Sequence, residues 1–130
     1  MSTPYQRGAR FEYRIIYYLQ DKAAIEGREV EIERSMGSKG PADIKVYWPD
    51  IDEWWFIQAK LHKVSLSIKE KEGLQRLKEK AEARKHKAKC FMVYSVKDRR
   101  DKRKRPIIWE ELKHEQAEKT DERKPNDADA

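Results

Sequence analysis

Apolar positions recur at helical spacing near the start of the chain. Phe11, Ile15, Tyr18 and Leu19 fall on one face of a helix predicted from Thr3 to Glu26, with Thr3 and Pro4 as N-cap and first-turn residue and Gly27 placed to end it. The period then changes to two. In Arg28 to Arg34 (REVEIER), Val30 and Ile32 face one way and Glu29, Glu31 and Glu33 the other, which predicts a half-exposed strand near a sheet edge. Ser35 to Pro41 (SMGSKGP) is small, Gly-rich and closed by proline, so it predicts a loop. Ala42 to Trp48 reads as a second strand and Glu53 to Leu61 (EWWFIQAKL) as a third, joined by a turn over Trp48 to Asp52 into a hairpin.

Val64 to Ser67 either extends the sheet or only bridges to a second helix. That helix is predicted from Ile68 to His86, with a narrow apolar stripe at Leu74, Leu77 and Ala81 and a basic opposite face. Ala88 to Val96 is continuously apolar, as a central strand would be, and Pro106 to Trp109 predicts a last edge strand. The order αβββαβ(β) predicts an α/β chain, a mixed central sheet flanked by helices, in one domain over 1–112. Residues 113–130 read as a charged tail with little order.

Charge sharpens this picture. The chain has 130 residues, of which 42% are charged, and 30 Lys and Arg against 24 Asp and Glu give a net charge of +6. The excess suits a polyanionic partner. It is unevenly spread: Lys97 to Arg105 (KDRRDKRKR) holds seven basic and two acidic residues, whereas Glu110 to Ala130 holds four basic and eight acidic. A charge run by itself is more often a solvated face than a site. Cys90 is the only cysteine, which excludes an internal disulfide and a thiolate zinc cage, and its apolar surroundings predict a buried, inert thiol. No apolar stretch approaches the ~20 residues needed to span a bilayer, and no apolar signal region opens the chain, so a soluble, cytoplasmic protein is expected.

The candidate chemistry lies in the predicted hairpin. Gln58 and Lys60, two residues apart on one strand, emerge on the same face, and hairpin pairing can bring Asp43 beside them. Oxygen donors and an ammonium would then converge. Phosphodiester hydrolysis uses that combination, a hard divalent cation held by oxygens together with a positive group for the developing charge. Singly, Asp43 reads equally as turn chemistry after Pro41, and Lys60 as a strand-end charge. The histidines His62, His86 and His114 have no metal-ligand spacing, and His62 is only weakly placed for a supporting role near Lys60. No nucleotide-binding glycine motif precedes a helix, which gives an ATPase no support.

Three blocks, in order, resemble the archaeal-type Holliday junction resolvases of the PD-(D/E)XK nuclease superfamily. They are Tyr5-x-x-Gly8-x-x-x-Glu12, Arg34-Ser35-x-Gly37-Ser38 through Pro41-Ala42-Asp43, and Gln58-x-Lys60, and the likeness spans Tyr5 to Val96. The resemblance implies a PD-(D/E)XK core and a metal-dependent endonuclease resolving four-way junctions, or a related nuclease acting on other branched or foreign DNA. It implies catalytic roles for Glu12, Arg34, Ser38, Asp43, Gln58 and Lys60, with Glu12, Asp43 and Gln58 as ligands of Mg²⁺, for which Mn²⁺ would substitute. Arg34 would contact the cleaved phosphate and Ser38 the phosphate near the cut, with Ser35 and Lys39 as lesser contacts. A homodimer would set two active sites on opposed strands. Trp48, Trp54 and Trp55 suit either that interface or the core.

Gln58 departs from the pattern, which has Glu there. A carboxamide still offers a carbonyl oxygen but removes a negative charge, which weakens Mg²⁺ binding and leaves open a catalytically weakened DNA-binding module. Q-x-K variants do occur in the wider superfamily. Glu33 and Glu53 are the nearby acids that would compensate. Tyr5, Arg7, Arg10 and Arg14, with the lysines of 68–89, are the further DNA-binding candidates, and neutralising roughly six phosphates would give a log–log salt slope of about −5.

Overall fold

The computed structural model describes residues 4–35, 40–97, 100 and 105–113, with Pro4 and Tyr5 described by their backbone alone. The predicted N-cap Thr3 and the charged tail from His114 lie outside the described residues. The elements run α1 (Pro4–Glu26), β1 (Glu31–Arg34), β2 (Ile44–Trp48), β3 (Glu53–Lys60), α2 (Ile68–Ala83), β4 (Lys87–Ser95) and β5 (Ile107–Leu112). The strands form one open sheet in the order β1-β2-β3-β4-β5. Only β3 and β4 are parallel, so the sheet is mixed, with β1 and β5 at its edges. The result is an α/β fold, as the hydrophobic pattern predicts.

Alternation along the strands sends side chains to two separate cores. Ile44, Val46, Trp48, Ile57 and Val93 pack with Phe11, Ile15 and Leu19 of α1, whereas Phe56, Cys90, Met92 and Tyr94 pack with Leu74 and Ala81 of α2. The helices therefore cover opposite faces. Ile15, Leu19, Ile44, Ile57 and Leu74 are fully buried, each worth about 1.5–3 kcal/mol of apolar transfer. Trp48 is fully buried too, and Arg28 lies over its ring at 4.2 Å. Trp54 stacks on Phe56 with ring centres 5.9 Å apart, and Trp55 packs edge-on against Trp48 at 5.2 Å, so all three tryptophans pack on the cores, Trp54 and Trp55 remaining half-buried. The Cys90 thiol donates to the Leu74 carbonyl at 3.4 Å, and burial pushes its pKa up to about 12. It is buried, as its surroundings predict.

Three boundaries differ from the expected ones by three residues: β5 runs on to Leu112 rather than Trp109, and the other two lie next to helix ends. The first strand begins at Glu31 rather than Arg28 because α1 closes in a Schellman motif: Gly27, at φ 67°, donates to Ala24 and Arg28 donates to Ala23 at 2.8 Å. The second helix stops at Ala83 because Lys85 adopts φ 72°, and the amides of Lys85 and His86 turn back to Glu82 and Ala81. Residues 61–67 bridge and do not extend the sheet.

The parallel β3–β4 pair positions the site. Parallel neighbours need a crossover, and α2 supplies it, so its first turn must start near the C-terminal end of β3, where Gln58 and Lys60 lie. The helix also sits hard against the segment before β2. A Cβ built on Gly73 would lie 2.5 Å from the Pro41 Cβ, so glycine permits this approach.

Candidate active site

A cleft of about 610 Å³ opens at this end of the sheet, lined by residues of α1, the Gly40–Asp43 segment, β3 and α2. Asp43, Gln58 and Lys60 all line it, as the hairpin geometry predicts. The pairing is direct. The Asp43 amide donates to the Ile57 carbonyl at 2.9 Å, and the Ala59 amide donates to Asp43 Oδ2 at 2.8 Å. Asp43 is thus held between the two residues of interest by the main chain of β3. The Ser35 amide donates to the Asp43 carbonyl at 2.8 Å and fixes the segment from the other side.

Glu12 reaches the cleft from α1, one position past the buried Phe11. Arg34, the last residue of β1, donates through Nε to Glu12 Oε1 at 2.8 Å, and its guanidinium lies 4.9 Å from the Tyr13 ring. Both side chains of this pair are largely buried, 13% and 16% exposed. A planar guanidinium clamped along one edge in this way is oriented, not merely nearby.

Glu70 is the residue that the sequence reading does not single out. Ser67 caps α2 and Glu70 completes its capping box: the Ser67 amide donates to Glu70 Oε1 at 2.9 Å and the Glu70 amide donates to Ser67 Oγ at 3.1 Å. The other oxygen enters the site. Glu70 Oε2 accepts from Lys60 Nζ at 2.7 Å and from Gln58 Nε2 at 3.3 Å. The signal was present as the S-x-x-E pattern of Ser67 to Glu70, combined with the need for α2 to start beside the end of β3. Lys69, Arg76 and Gly73 complete this wall.

Electrostatics favours a positive occupant. Burial raises the Asp43 carboxyl above its ordinary value, against the Ala59 amide and Lys60 charge, and Glu70 adds to the rise. Burial also raises Glu12, and the Asp43 charge reinforces it over the opposing effect of Arg34. Burial opposes the charge of Glu70 as well, but Lys60 and the Ser67 cap outweigh it and hold its carboxyl below the usual range. Among the described residues no three His, Cys, Asp or Glu side chains gather closely enough to hold a metal ion. Gln58 stands outside that count, and its Oε1 is buried with no hydrogen-bond partner. An orphaned carbonyl oxygen on a residue that shares its cleft with the Glu12 and Asp43 carboxylates fits a hard cation better than it fits a closed polar network.

No family model, curated protein or solved structure matches the chain.

Other candidates lie elsewhere. Arg7, Arg10 and Arg14 are exposed and line a separate groove on the outer side of α1. Ser38, Lys39 and the Tyr5 side chain lie outside the described residues. Neither expected compensating acid reaches the cleft: Glu53 is buried at the far end of β3, accepting from Trp55 Nε1 at 2.6 Å, and Glu33 is exposed on the edge strand opposite Lys45. Glu70 occupies that place instead. His62 lies beside Arg105 at 3.5 Å and His86 pairs with Asp52 at 2.6 Å, both away from the cleft lining.

Proposed function

We propose that the protein is a divalent-metal-dependent DNA endonuclease with a PD-(D/E)XK core, cutting four-way junctions as a homodimer. What carries the reading is the convergence of Asp43, Gln58 and Lys60 with Glu12 on one cleft, backed by the clamped Arg34. Glu12, Asp43 and Gln58 Oε1 would hold Mg²⁺ or Mn²⁺. The ion, when bound, supplies Lewis-acid polarisation of the scissile phosphate and a more acidic water. Lys60 contributes an ammonium next to the phosphate once Glu70 yields it, and Arg34 presents its guanidinium to a phosphate oxygen. Lys69 and Arg76 add positive charge to the entry wall.

A second reading, a DNA-binding module with a weakened site, is favoured by the neutral Gln58 and by the 2.7 Å contact that occupies Lys60. One experiment separates them. A labelled four-way junction is incubated with wild-type and Lys60→Ala protein in EDTA, Mg²⁺ and Mn²⁺. Paired nicks in metal, lowered about 100-fold or more by Lys60→Ala, are expected. Binding in EDTA without cleavage in either metal, identical for both proteins, would sink the nuclease reading and leave the module. A panel of flaps, nicks and forks then tests the preference for junctions over other branched or foreign DNA.

A further inference from the structure

The solvent face of α1 carries chemistry that the cleft does not use. Tyr13 and Tyr17, one turn apart, stack with ring centres 6.1 Å apart and an angle of 27°, and Tyr17 remains 58% exposed. Both line a groove of about 600 Å³ together with Arg7, Arg10, Arg14 and Arg105 and the apolar Phe11 and Leu61, and among the described residues no acidic side chain lines it. Arg14 Nη2 donates to the Arg105 carbonyl at 2.9 Å, tying the helix to the segment entering β5. The aromatic row also has a direction. Arg34 lies over Tyr13 while bonded to Glu12, so Arg34, Tyr13 and Tyr17 form a line leading from the cleft onto the helix.

We propose that this face is a track for single-stranded DNA, with bases stacking on Tyr13 and Tyr17 and phosphates neutralised by the arginines. Exposed rings in a groove that combines four arginines with apolar side chains match a polyanion whose bases are accessible. A duplex keeps its bases stacked on each other and could use only the arginines. A second copy of this chain would set like-charged faces against each other. The proposal rests on the nuclease reading only for the choice of DNA as the nucleic acid.

The test is fluorescence anisotropy in EDTA, with an oligothymidylate of about 20 nucleotides and a duplex of the same length as probes. Tyr17 is exposed, so its replacement leaves the core intact. Tyr17→Ala should weaken oligothymidylate binding about tenfold and leave duplex binding unchanged, while Tyr17→Phe should bind as wild type does. Arg10→Ala should lower the salt slope by about 0.7 on the single strand. Equal losses on both probes, or no loss for Tyr17→Ala, would overturn the track. Equal affinity for an oligouridylate RNA would overturn the commitment to DNA. A Tyr17-dependent dimer by sedimentation, with unchanged DNA binding, would assign the face to self-association instead. Failed cleavage with intact Tyr17-dependent binding removes the nuclease and keeps the track; lost Tyr17 dependence with intact cleavage does the reverse.

Discussion

Replacing Gln58 with Glu restores the carboxylate that the resemblance leads one to expect, and the structure makes the outcome specific. In the wild type, Gln58 Nε2 donates to Glu70 Oε2 at 3.3 Å. In Gln58→Glu that donor becomes an anion facing another anion. Two unit charges at that separation repel by about 5 kcal/mol at an effective dielectric of ~20 and by about 1 kcal/mol in water. Glu70 is 29% exposed and keeps its Lys60 partner, which favours the low end. The metal-free variant should lose about 1–2 kcal/mol, or roughly 2–8 °C in Tm.

Metal should reverse the sign. If the added carboxylate tightens Kd from about 10 mM to about 1 mM, then 10 mM Mg²⁺ stabilises by about 1.4 kcal/mol instead of about 0.4. Differential scanning fluorimetry in EDTA and in a Mg²⁺ or Mn²⁺ series measures both halves. Expected are a lower Tm than wild type in EDTA and a larger metal-induced rise. Adding Glu70→Gln to the variant removes the facing anion and should recover most of the metal-free loss. A variant as stable as wild type in EDTA, with no larger response to metal, would refute the view of the cleft as an anionic cation site.

Two further outcomes follow from the same geometry. Gly73→Ala gains about 1 kcal/mol of helix propensity but drives its Cβ to 2.5 Å from Pro41, where overpacking costs about 1–3 kcal/mol. A net loss in urea unfolding, with weaker Mn²⁺ binding through a displaced Asp43, is expected, and a stabilised variant would contradict the close approach. The raised Glu12 and Asp43 carboxyls favour the metal-free fold when protonated, so their contribution is fully present below their ordinary values of 4.5 and 3.8 and is lost as pH rises through the raised ones. Because a cation binds the charged forms, the metal-induced rise in Tm should grow from about pH 4 to pH 7, and a flat response would argue against both as ligands.

Much of this fold is legible in the sequence because its elements differ in period. Val30 and Ile32 alternate, Phe11, Ile15 and Leu19 recur at helical spacing, and Ala88 to Val96 is apolar throughout, so edge strand, helix and interior strand are separable before any contact is known. The end of α1 at Gly27 was legible and the end of α2 was not, since Lys85 in a left-handed conformation is a poor match to the glycine or asparagine usually found there. In the site, Asp43, Gln58 and Lys60 are brought together by hairpin pairing, which is local. Glu70 arrives through a crossover, and only the parallel pairing of β3 with β4 fixes where its helix begins. Glu33 and Glu53 are closer in sequence to the site's strands than Glu70 is to β2, yet Glu53 lies at the far end of β3 and Glu33 is exposed on the edge strand, so neither lines the cleft.

That difference changes the meaning of Gln58. Taken alone, a neutral residue at this position is a lost charge. Beside Glu70 it is a spacer that both carboxylate and carbonyl chemistry can use: Nε2 donates to Glu70, and Oε1 is left buried and unpaired. A glutamate at 58 could not donate to Glu70, and a glutamine at 70 would weaken the hold on Lys60. The negative charge of this wall is therefore supplied from α2 and not from β3, and it is delivered by the residue that also caps the helix. One side chain links the stability of α2 to the position of Lys60, so Gln58 and Glu70 together set the bonding around the Lys60 ammonium.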